Sequence, residues 1–243
     1  MSTVNTDAIK ARDTGLDITL GAAGDTTVIS ADSIDVNTVK DSGGNTLWIS
    51  DGGGTLSSVN AGLKCSQVLL ATNTITTSTA STGFTSLIDS TYKVYKFQWS
   101  RMAAASDRVD LKFQTSIDGG SNYNVNLTSS VFFCYASESA GTGALSYNGT
   151  LDQANGTSYQ ALFDGQGNAA DESCVGELWL YNPSNTSYVK HYYSVTNNYM
   201  TDNFTENYYT AGYFNTTSAI NAINFQWSSG NITNGSLKMY GIL

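Results

Sequence analysis

Six carboxylates between residues 138 and 177 are the side chains of this sequence best suited to chemistry. Glycoside cleavage needs only two such groups, one acting as the acid and the other as the nucleophile or base. Asp171 and Glu172 fall in the stretch GNAADESC, whose composition is typical of a solvent-facing loop. Adjacent carboxylates usually belong to a solvated turn, however, and no spacing fixes two of the six opposite one another. The six are Glu138, Asp152, Asp164, Asp171, Glu172 and Glu177.

His191, the only histidine, lies among aromatic residues in YVKHYYS on a predicted strand. Ser-His-Asp catalysis would depend on it, yet no nucleophile-elbow motif is present, and a histidine-based metal site lacks a second histidine. The glycine-rich stretches DGGGT and DGGSN have no lysine and no following helix, so they predict turns and not phosphate loops. We therefore expect a non-enzymatic protein without metal or cofactor, in which His191 is half-buried or interfacial.

The best candidate for a binding surface is the tyrosine-rich tract between residues 188 and 213. Tyrosine with asparagine and serine is the composition of adaptable binding surfaces, and aromatic faces also stack on sugars. A predicted loop over residues 197–207 carries aromatic side chains where a polar turn would suffice. An alternative is that these aromatics pack against a neighbouring subunit. The candidate contact residues are Tyr199, Met200, Phe204 and Tyr208.

The elements that position these residues are predicted to be strands. Only 13% of the 243 residues are charged, whereas threonine, aromatic residues and turn formers are plentiful. The one helix-like stretch, TDAIKARD, is too short to be convincing. The formal net charge of −9, without any basic cluster, argues against nucleic-acid binding. The sequence therefore predicts an all-β fold.

Residues 63–243 contain about ten predicted strands, the pattern of an antiparallel β-sandwich or jelly roll. Alternating apolar residues between 220 and 243 predict a hairpin whose turn spans Ser228–Gly235. The stretch DGGS at 118–121 predicts a second hairpin turn. Pro183, the only proline, should end a strand. Because proline and lysine are scarce at the predicted edges, we expect another subunit to cover them.

The first 62 residues predict a thin, β-rich stem. Their runs LDITL, TTVIS, SIDVNTV and NTLWIS offer too few apolar side chains for an independent core. We therefore expect neighbouring copies of the chain to complete that core, most simply as a homotrimer. The passage DGGGTLSSVNAG then leads into the 63–243 domain. The predicted residues of the trimeric stem core are Ile18, Leu20, Val28, Ile34, Leu47 and Ile49.

The cysteines and the first residues of the sequence indicate the cellular compartment in which the protein is made. Cys65, Cys134 and Cys174 are odd in number and widely spaced, which predicts small buried residues in a protein made in a reducing cytoplasm. The start has no apolar segment, so no signal peptide is expected. No run approaches the roughly 18 apolar residues of a membrane span, so no membrane insertion is expected.

Three stretches resemble the C-terminal β-sandwich of small tail-fibre and related virion proteins of bacteriophages, particularly marine ones. They are SIDGGSNYN, GELWLYNPSNTSYVKHYYS and TAGYFNTTSAINAINFQWSSGNITNGSLKMYGIL. The similarity covers roughly residues 63–243, and TGLDITLGAAGDTTVIS resembles the β-rich shafts that precede such domains. The resemblance implies a homotrimeric, fibre-like virion component with a jelly-roll head, and it brings no catalytic motif.

The predicted function is therefore that of a homotrimeric tail fibre, or fibre-like appendage, on the virion surface. Its stem would attach to another virion protein, and its head would contact a host cell-surface glycan or protein. A capsid-decorating or head-fibre protein is an alternative, because the chain is short for a complete tail fibre. A glycan depolymerase is a third hypothesis, which rests only on the carboxylates.

Overall fold

The computed structural model describes residues 38–41, 43–50, 56–59, 66–139 and 141–243. The chain divides into two units, one ending at Leu63 and the other beginning at Lys64, and each is described by itself. Strands in both units pair antiparallel, and none of the described residues forms a helix. The predicted all-β fold is confirmed.

The first unit contains a three-stranded sheet. Its strands are β1 (Thr38–Lys40), β2 (Thr46–Ser50) and β3 (Leu56–Val59), in that order across the sheet. Asp41 shapes the turn between β1 and β2, because its carboxylate accepts hydrogen bonds from the N–H groups of Gly43 and Asn45 at 2.9 and 2.8 Å. Aspartate favours turns through such bonds to the backbone a few residues on.

Two residues of the predicted stem core lie in this sheet. Leu47 and Ile49 are two positions apart on β2, so they share one face, and both are half-buried. The other four lie outside the described residues, and the trimeric core stays a prediction. Those four are Ile18, Leu20, Val28 and Ile34.

The second unit contains twelve strands among the residues described. They are β4 (Gln67–Ile75), β5 (Ser81–Phe84), β6 (Val94–Ala104), β7 (Leu111–Ser116), β8 (Leu127–Ser137), β9 (Gly143–Tyr147), β10 (Gln160–Ala161), β11 (Cys174–Tyr181), β12 (Lys190–Met200), β13 (Phe204–Phe214), β14 (Ala222–Trp227) and β15 (Ile232–Ile242). Eight form a larger sheet in the order β4–β15–β6–β11–β12–β13–β8–β9. The other four form a smaller sheet in the order β10–β7–β14–β5.

The core lies between these two sheets and is rich in aromatic side chains. Phe113 and Phe225, on adjacent strands of the smaller sheet, are fully buried, with ring centroids 6.0 Å apart. From the larger sheet, Trp99 contacts Phe225 at 5.8 Å and Phe214 contacts Phe113 edge-on at 6.0 Å. Burying one such ring contributes about 1.5–3 kcal/mol. The unit is therefore β-sandwich-like, with one aromatic core joining its sheets.

The predicted hairpin between residues 220 and 243 is wrong, although its apolar residues are buried as expected. β14 lies in the smaller sheet between β7 and β5, whereas β15 lies in the larger sheet between β4 and β6. Phe225 and Trp227 thus enter the core from one sheet, and Leu237 and Met239 enter it from the other. The connection between the two strands crosses the sandwich and closes no hairpin.

The predicted turn at residues 118–121 is present, but it too joins strands of different sheets. Gly119 and Gly120 have φ angles of 72° and 90°, which side chains strongly disfavour. The chain leaves β7 in the smaller sheet here and continues to β8 in the larger one. Pro183 follows the end of β11 at Tyr181, as predicted.

Residues 190–214 form the long hairpin that positions the predicted binding surface. β12 and β13 pair along their whole length, ending with Met200 opposite Phe204. Asn203 closes the tight turn between them, with a left-handed φ of 62° and an N–H that donates to the Met200 carbonyl at 3.0 Å. The predicted loop over residues 197–207 is therefore mostly strand, because only three residues separate β12 from β13.

Candidate binding surface

A cavity of about 380 Å³ lies at the turn end of the β12–β13 hairpin, where Tyr199 and Phe204 both line it. The Tyr199 hydroxyl donates a hydrogen bond to Glu138 Oε2 at 3.0 Å, and Asn203 Oδ1 lies 3.3 Å from the same hydroxyl. The bond to Glu138 raises the pKa of the Tyr199 hydroxyl. Because that hydroxyl already has partners within the chain, the ring of Tyr199 is its main contribution to a ligand contact.

Phe204 and Met200 differ in their relation to this cavity. Phe204 borders it, and its ring also makes an edge-on contact with Tyr135 at a centroid distance of 5.8 Å. Met200 is half-buried and packs against Gly165, where an added Cβ would lie 3.1 Å from the Met200 methyl carbon. The structure therefore brings Tyr199 and Phe204 to one cavity but directs Met200 elsewhere.

Tyr208 corrects the predicted contact surface, because it is only 1% exposed and belongs to the core. Its ring stacks on Phe133 with centroids 4.7 Å apart and planes inclined by 5°. Its hydroxyl donates to Asp164 Oδ1 at 2.5 Å. Side chains alternate between the faces of a strand, so the next residue, Tyr209, points outward instead. Tyr208 cannot contact a host or a neighbouring subunit.

The outer face of the larger sheet carries exposed aromatic residues that were not among the predicted site residues. Tyr209 stacks on Phe132 of the adjacent strand, with centroids 4.8 Å apart and planes inclined by 8°. The two rings remain 38% and 45% exposed. Tyr147 lies opposite Phe132 on the edge strand β9 and is 65% exposed. These three residues form one aromatic row across β13, β8 and β9.

A second group of aromatic residues surrounds Tyr193 on the same face. Tyr193 is 39% exposed and stacks on Trp179 at 6.1 Å with an interplanar angle of 15°. It also stacks on Tyr181 at 6.0 Å. Two neighbours thus restrict the orientation of the Tyr193 ring while leaving part of it open to solvent.

Lys96 lies beside this group, opposite Trp179 on the adjacent strand β6, and its charge is largely covered. Its ammonium nitrogen is 5.4 Å from the ring centroid of Trp179 and 5.1 Å from that of Tyr240. A carboxylate oxygen of Glu177 lies 3.9 Å away, and the Lys96 residue is only 8% exposed. The two rings and the carboxylate stabilise the cation where it lies. Lys96 therefore adds little positive charge to the exposed aromatic face.

A groove of about 560 Å³ crosses β12, β13 and β8 beside Tyr193. Tyr193 lies opposite Ala211, which lies opposite Ser130, so small exposed side chains form the floor. Tyr213 borders the groove two residues further along β13, with His191 tilted against it at a centroid distance of 6.1 Å. The stacked pair of Tyr209 and Phe132 lies two residues away from Ala211 and Ser130, on the side of the groove opposite to Tyr213.

Most of the six candidate carboxylates accept hydrogen bonds from their own chain. Asp152 accepts from the Val131 N–H at 2.9 Å, and Glu177 accepts from the Trp179 indole at 2.9 Å. Glu172, only 8% exposed, accepts from the Ala169 N–H at 2.6 Å. These bonds stabilise strands and turns. The six do not come together in one cavity: Glu138 borders the hairpin cavity, whereas Asp171 and Glu172 border another of about 480 Å³.

Asp164, which is half-buried, and Glu206, which is buried, form a polar cluster on the inner face of the β12–β13 hairpin. Asp164 accepts from the Tyr208 hydroxyl, and Glu206, only 5% exposed, accepts from Asn198 Nδ2 at 3.3 Å. Asn198 Nδ2 also donates to the Asp164 carbonyl oxygen at 3.3 Å. Burial, reinforced by the charge of Asp164, raises the pKa of Glu206 to about 7. Because both acids are bonded inside the sandwich, their main effect is on stability.

The histidine and the cysteines differ in part from expectation. His191 is exposed on β12, where it borders the groove, so its predicted half-burial is wrong, and an interfacial position stays a prediction. Cys174 is buried, as predicted, and burial raises the pKa of its thiol. Cys134 is exposed on the outer face of β8, so its predicted burial is wrong, and Cys65 lies outside the described residues.

Comparison of the chain with known protein families, with curated proteins and with solved structures finds no match. Across the described ranges of the chain, no three His, Cys, Asp or Glu side chains are grouped to hold a metal ion. In the same ranges, no helix is long and apolar enough to span a membrane. The surface chemistry described above is therefore the basis for a functional assignment.

Proposed function

We propose that this chain is a non-enzymatic structural protein of a bacteriophage virion, a tail fibre or similar appendage that contacts the host surface with residues 64–243. The observation that carries the proposal is the aromatic outer face of the larger sheet. Tyr193, Tyr209 and Phe132 remain 39%, 38% and 45% exposed on it. Large exposed apolar patches usually mark surfaces that a partner covers. The resemblance of residues 63–243 to fibre heads supports the same assignment.

Exposed tyrosine rings suit a surface that must adhere to another surface. Each ring offers a large amphipathic contact area, and it has only two side-chain torsions to restrict on binding. The hairpin cavity bordered by Tyr199 and Phe204 adds a second concave contact region at one end of the larger sheet. The partner in this proposal is a glycan or protein on the host cell.

The proposal includes a homotrimer whose N-terminal stem attaches to another virion protein, and a jelly-roll arrangement of the sandwich. The small size of the first sheet supports the trimer. Its three described strands are only three, five and four residues long, and strands this short bury little surface. Leu47 and Ile49 are only half-buried within one copy, which leaves apolar surface for neighbouring stems.

The edge strand β9 favours a second candidate, a capsid-decorating or head-fibre protein with a structural role. All five of its residues are exposed, and its sequence GALSY has neither the lysine nor the proline that often protects an edge. Leu145 on this strand is 72% exposed. Such an edge fits pairing with a strand of a neighbouring copy on a closed shell.

Immunogold electron microscopy tests the proposal directly. Antibodies raised against the chain would be applied to intact particles of the phage that encodes it. Label on the tail or its fibres supports the tail-fibre proposal, and label over the capsid supports the decorating role. Particles that bind no antibody, together with a chain missing from their protein profile by mass spectrometry, would show that neither virion role is correct.

Light scattering of the full chain distinguishes assembly through the N-terminal stem from assembly through the edge strand β9. The chain has a mass of 25.9 kDa, so a trimer should scatter as three such masses, about 78 kDa. Leu47→Asp should dissociate an assembly held by the stem, whereas Leu145→Asp should dissociate one held by edge strands. A chain that stays monomeric at every concentration contradicts the homotrimer.

A further inference from the structure

We propose that the groove over β12, β13 and β8 binds a neutral saccharide, with a sugar ring packed against Tyr193. The proposal rests on the proposed host-contact function in one respect only, namely that the saccharide would belong to the host surface. Binding in the groove can be measured without any virion or host cell.

The ring of Tyr193 is held in an orientation that suits a flat ligand. Trp179 and Tyr181, both on β11, stack against this ring from one side at 6.1 and 6.0 Å, so the ring is largely ordered before any ligand arrives. On its other side lies Ala211 of β13, whose small side chain leaves that face of the ring open to a ligand. A pre-ordered ring loses little rotamer entropy on binding, which favours affinity. The C–H faces of a pyranose ring are flat and weakly polar, and they pack well on an aromatic face.

The groove is wide because the side chains at its centre are small. Ala211 and Ser130 lie beside Tyr193, between Tyr209 on one side and Tyr213 on the other. Tyr209 and Tyr213 are four residues apart along β13, which is roughly 13 Å at the usual rise of a strand. The groove volume of about 560 Å³ lies in the range of ligand-binding sites.

The polar groups of the groove match hydroxyls better than charges. Thr128, Ser130, His191 and the hydroxyls of Tyr181 and Tyr213 offer hydrogen bonds in the groove, and no Asp, Glu, Lys or Arg side chain lines it. The net charge of −9 would repel an anionic ligand, and a cationic ligand would find no carboxylate in the lining. A neutral, polyhydroxylated ligand remains as the chemistry that fits both observations.

Titration with four neutral hexasaccharides tests the inference: maltohexaose, cellohexaose, laminarihexaose and chitohexaose. Binding to the full chain would be followed by saturation-transfer NMR and by intrinsic tryptophan fluorescence, to which Trp179, stacked on Tyr193, contributes. We expect at least one hexasaccharide to bind saturably with a millimolar or lower Kd. Tyr193→Ala should weaken that binding at least tenfold, whereas Tyr188→Ala, a matched change at a tyrosine that is 74% exposed and outside the groove, should not.

A second variant tests the groove without removing a contact. Ala211→Trp should fill the space beside Tyr193 and abolish binding, and because Ala211 is exposed the chain should still fold. Circular dichroism would verify that fold. The inference is overturned if no hexasaccharide binds, or if binding survives both Tyr193→Ala and Ala211→Trp.

Two further readouts separate this inference from the proposed function. Saccharide binding by a protein that labels no virion would contradict the phage role and leave the groove assignment standing. Adsorption to host cells that protease treatment removes, and that periodate oxidation of cell-surface sugars leaves intact, would instead indicate a protein partner. That result would overturn the host surface as the source of the saccharide and preserve the host-contact function, whereas the titration alone decides whether the groove binds a saccharide.

Discussion

Replacing Glu206 by glutamine should remove a pH dependence of stability that the native carboxyl imposes. Glu206 is 5% exposed, and burial raises its pKa from an ordinary 4.5 to about 7. Because the folded pKa is the higher one, the folded state binds the proton more tightly than the unfolded chain does. The stability contributed by protonated Glu206 is therefore fully present below pH 4.5, and it is lost as the pH rises through 7.

The size of the effect follows from the difference between the two pKa values. The step from 4.5 to about 7 corresponds to about 3.4 kcal/mol at full strength. Asn198 donates a hydrogen bond to Glu206 and solvent reaches the nearby hairpin end, so screening reduces this figure. We expect the wild-type chain to lose about 1–2 kcal/mol of stability between pH 5 and pH 8, relative to Glu206→Gln.

Urea unfolding followed by tryptophan fluorescence would measure this difference at pH 5, 6, 7 and 8. Asp110, whose pKa burial also raises, titrates in both proteins and cancels in the comparison. Glu138→Gln is the matched control, because Glu138 is an exposed carboxyl on the neighbouring part of the surface. Equal pH slopes for the wild type and Glu206→Gln would refute the reasoning, as would an equal effect of Glu138→Gln.

Three further predictions concern other parts of the second unit. Gly83→Ala should cost about 2 kcal/mol or more in urea unfolding, since its Cβ would collide with the carbonyl oxygen of Ile223 on the paired strand. Asp118→Asn should lower the melting temperature at pH 7 but not at pH 2, because hydrogen bonds lower the pKa of Asp118 to about 2 and its contribution disappears as the pH falls through that value. Iodoacetamide should modify Cys134 in the native protein, and peptide mapping should find Cys174 modified only after unfolding, because Cys174 is buried.

The sequence predicted which residues are buried better than which strands pair. Alternation identified Phe225, Trp227, Leu237 and Met239 as core residues, and all four are buried. The alternation of apolar and polar residues contains no information about the partner strand, however. A turn between two apolar runs has the same sequence pattern whether it closes a hairpin or connects the two sheets of a sandwich. The pairing of β15 with β4 depends on residues more than 150 positions away, which no local pattern reveals.

The candidate surface was predicted in its region but not in its individual residues. Taking residues 197–207 as a loop removed the two-residue alternation that assigns each side chain to a face. Once the turn is known to contain only three residues, alternation along β13 places Tyr208 inside and Tyr209 outside. A one-residue error in such a tract exchanges every exposed residue for a buried one. The groove escaped prediction because small residues, Ala211 and Ser130, create it.

The position of β15 has a consequence for how the chain folds as it is made. The larger sheet needs β15 between β4 and β6, yet β15 follows every other described strand along the chain. Since β4 pairs only with β15 in this sheet, during synthesis β4 must remain without a strand partner until all the other described strands have emerged. Sheets that depend on such distant partners form slowly and expose unpaired edges in the meantime. We therefore expect folding to be largely post-translational, with chaperones covering β4 and β6 until β15 arrives.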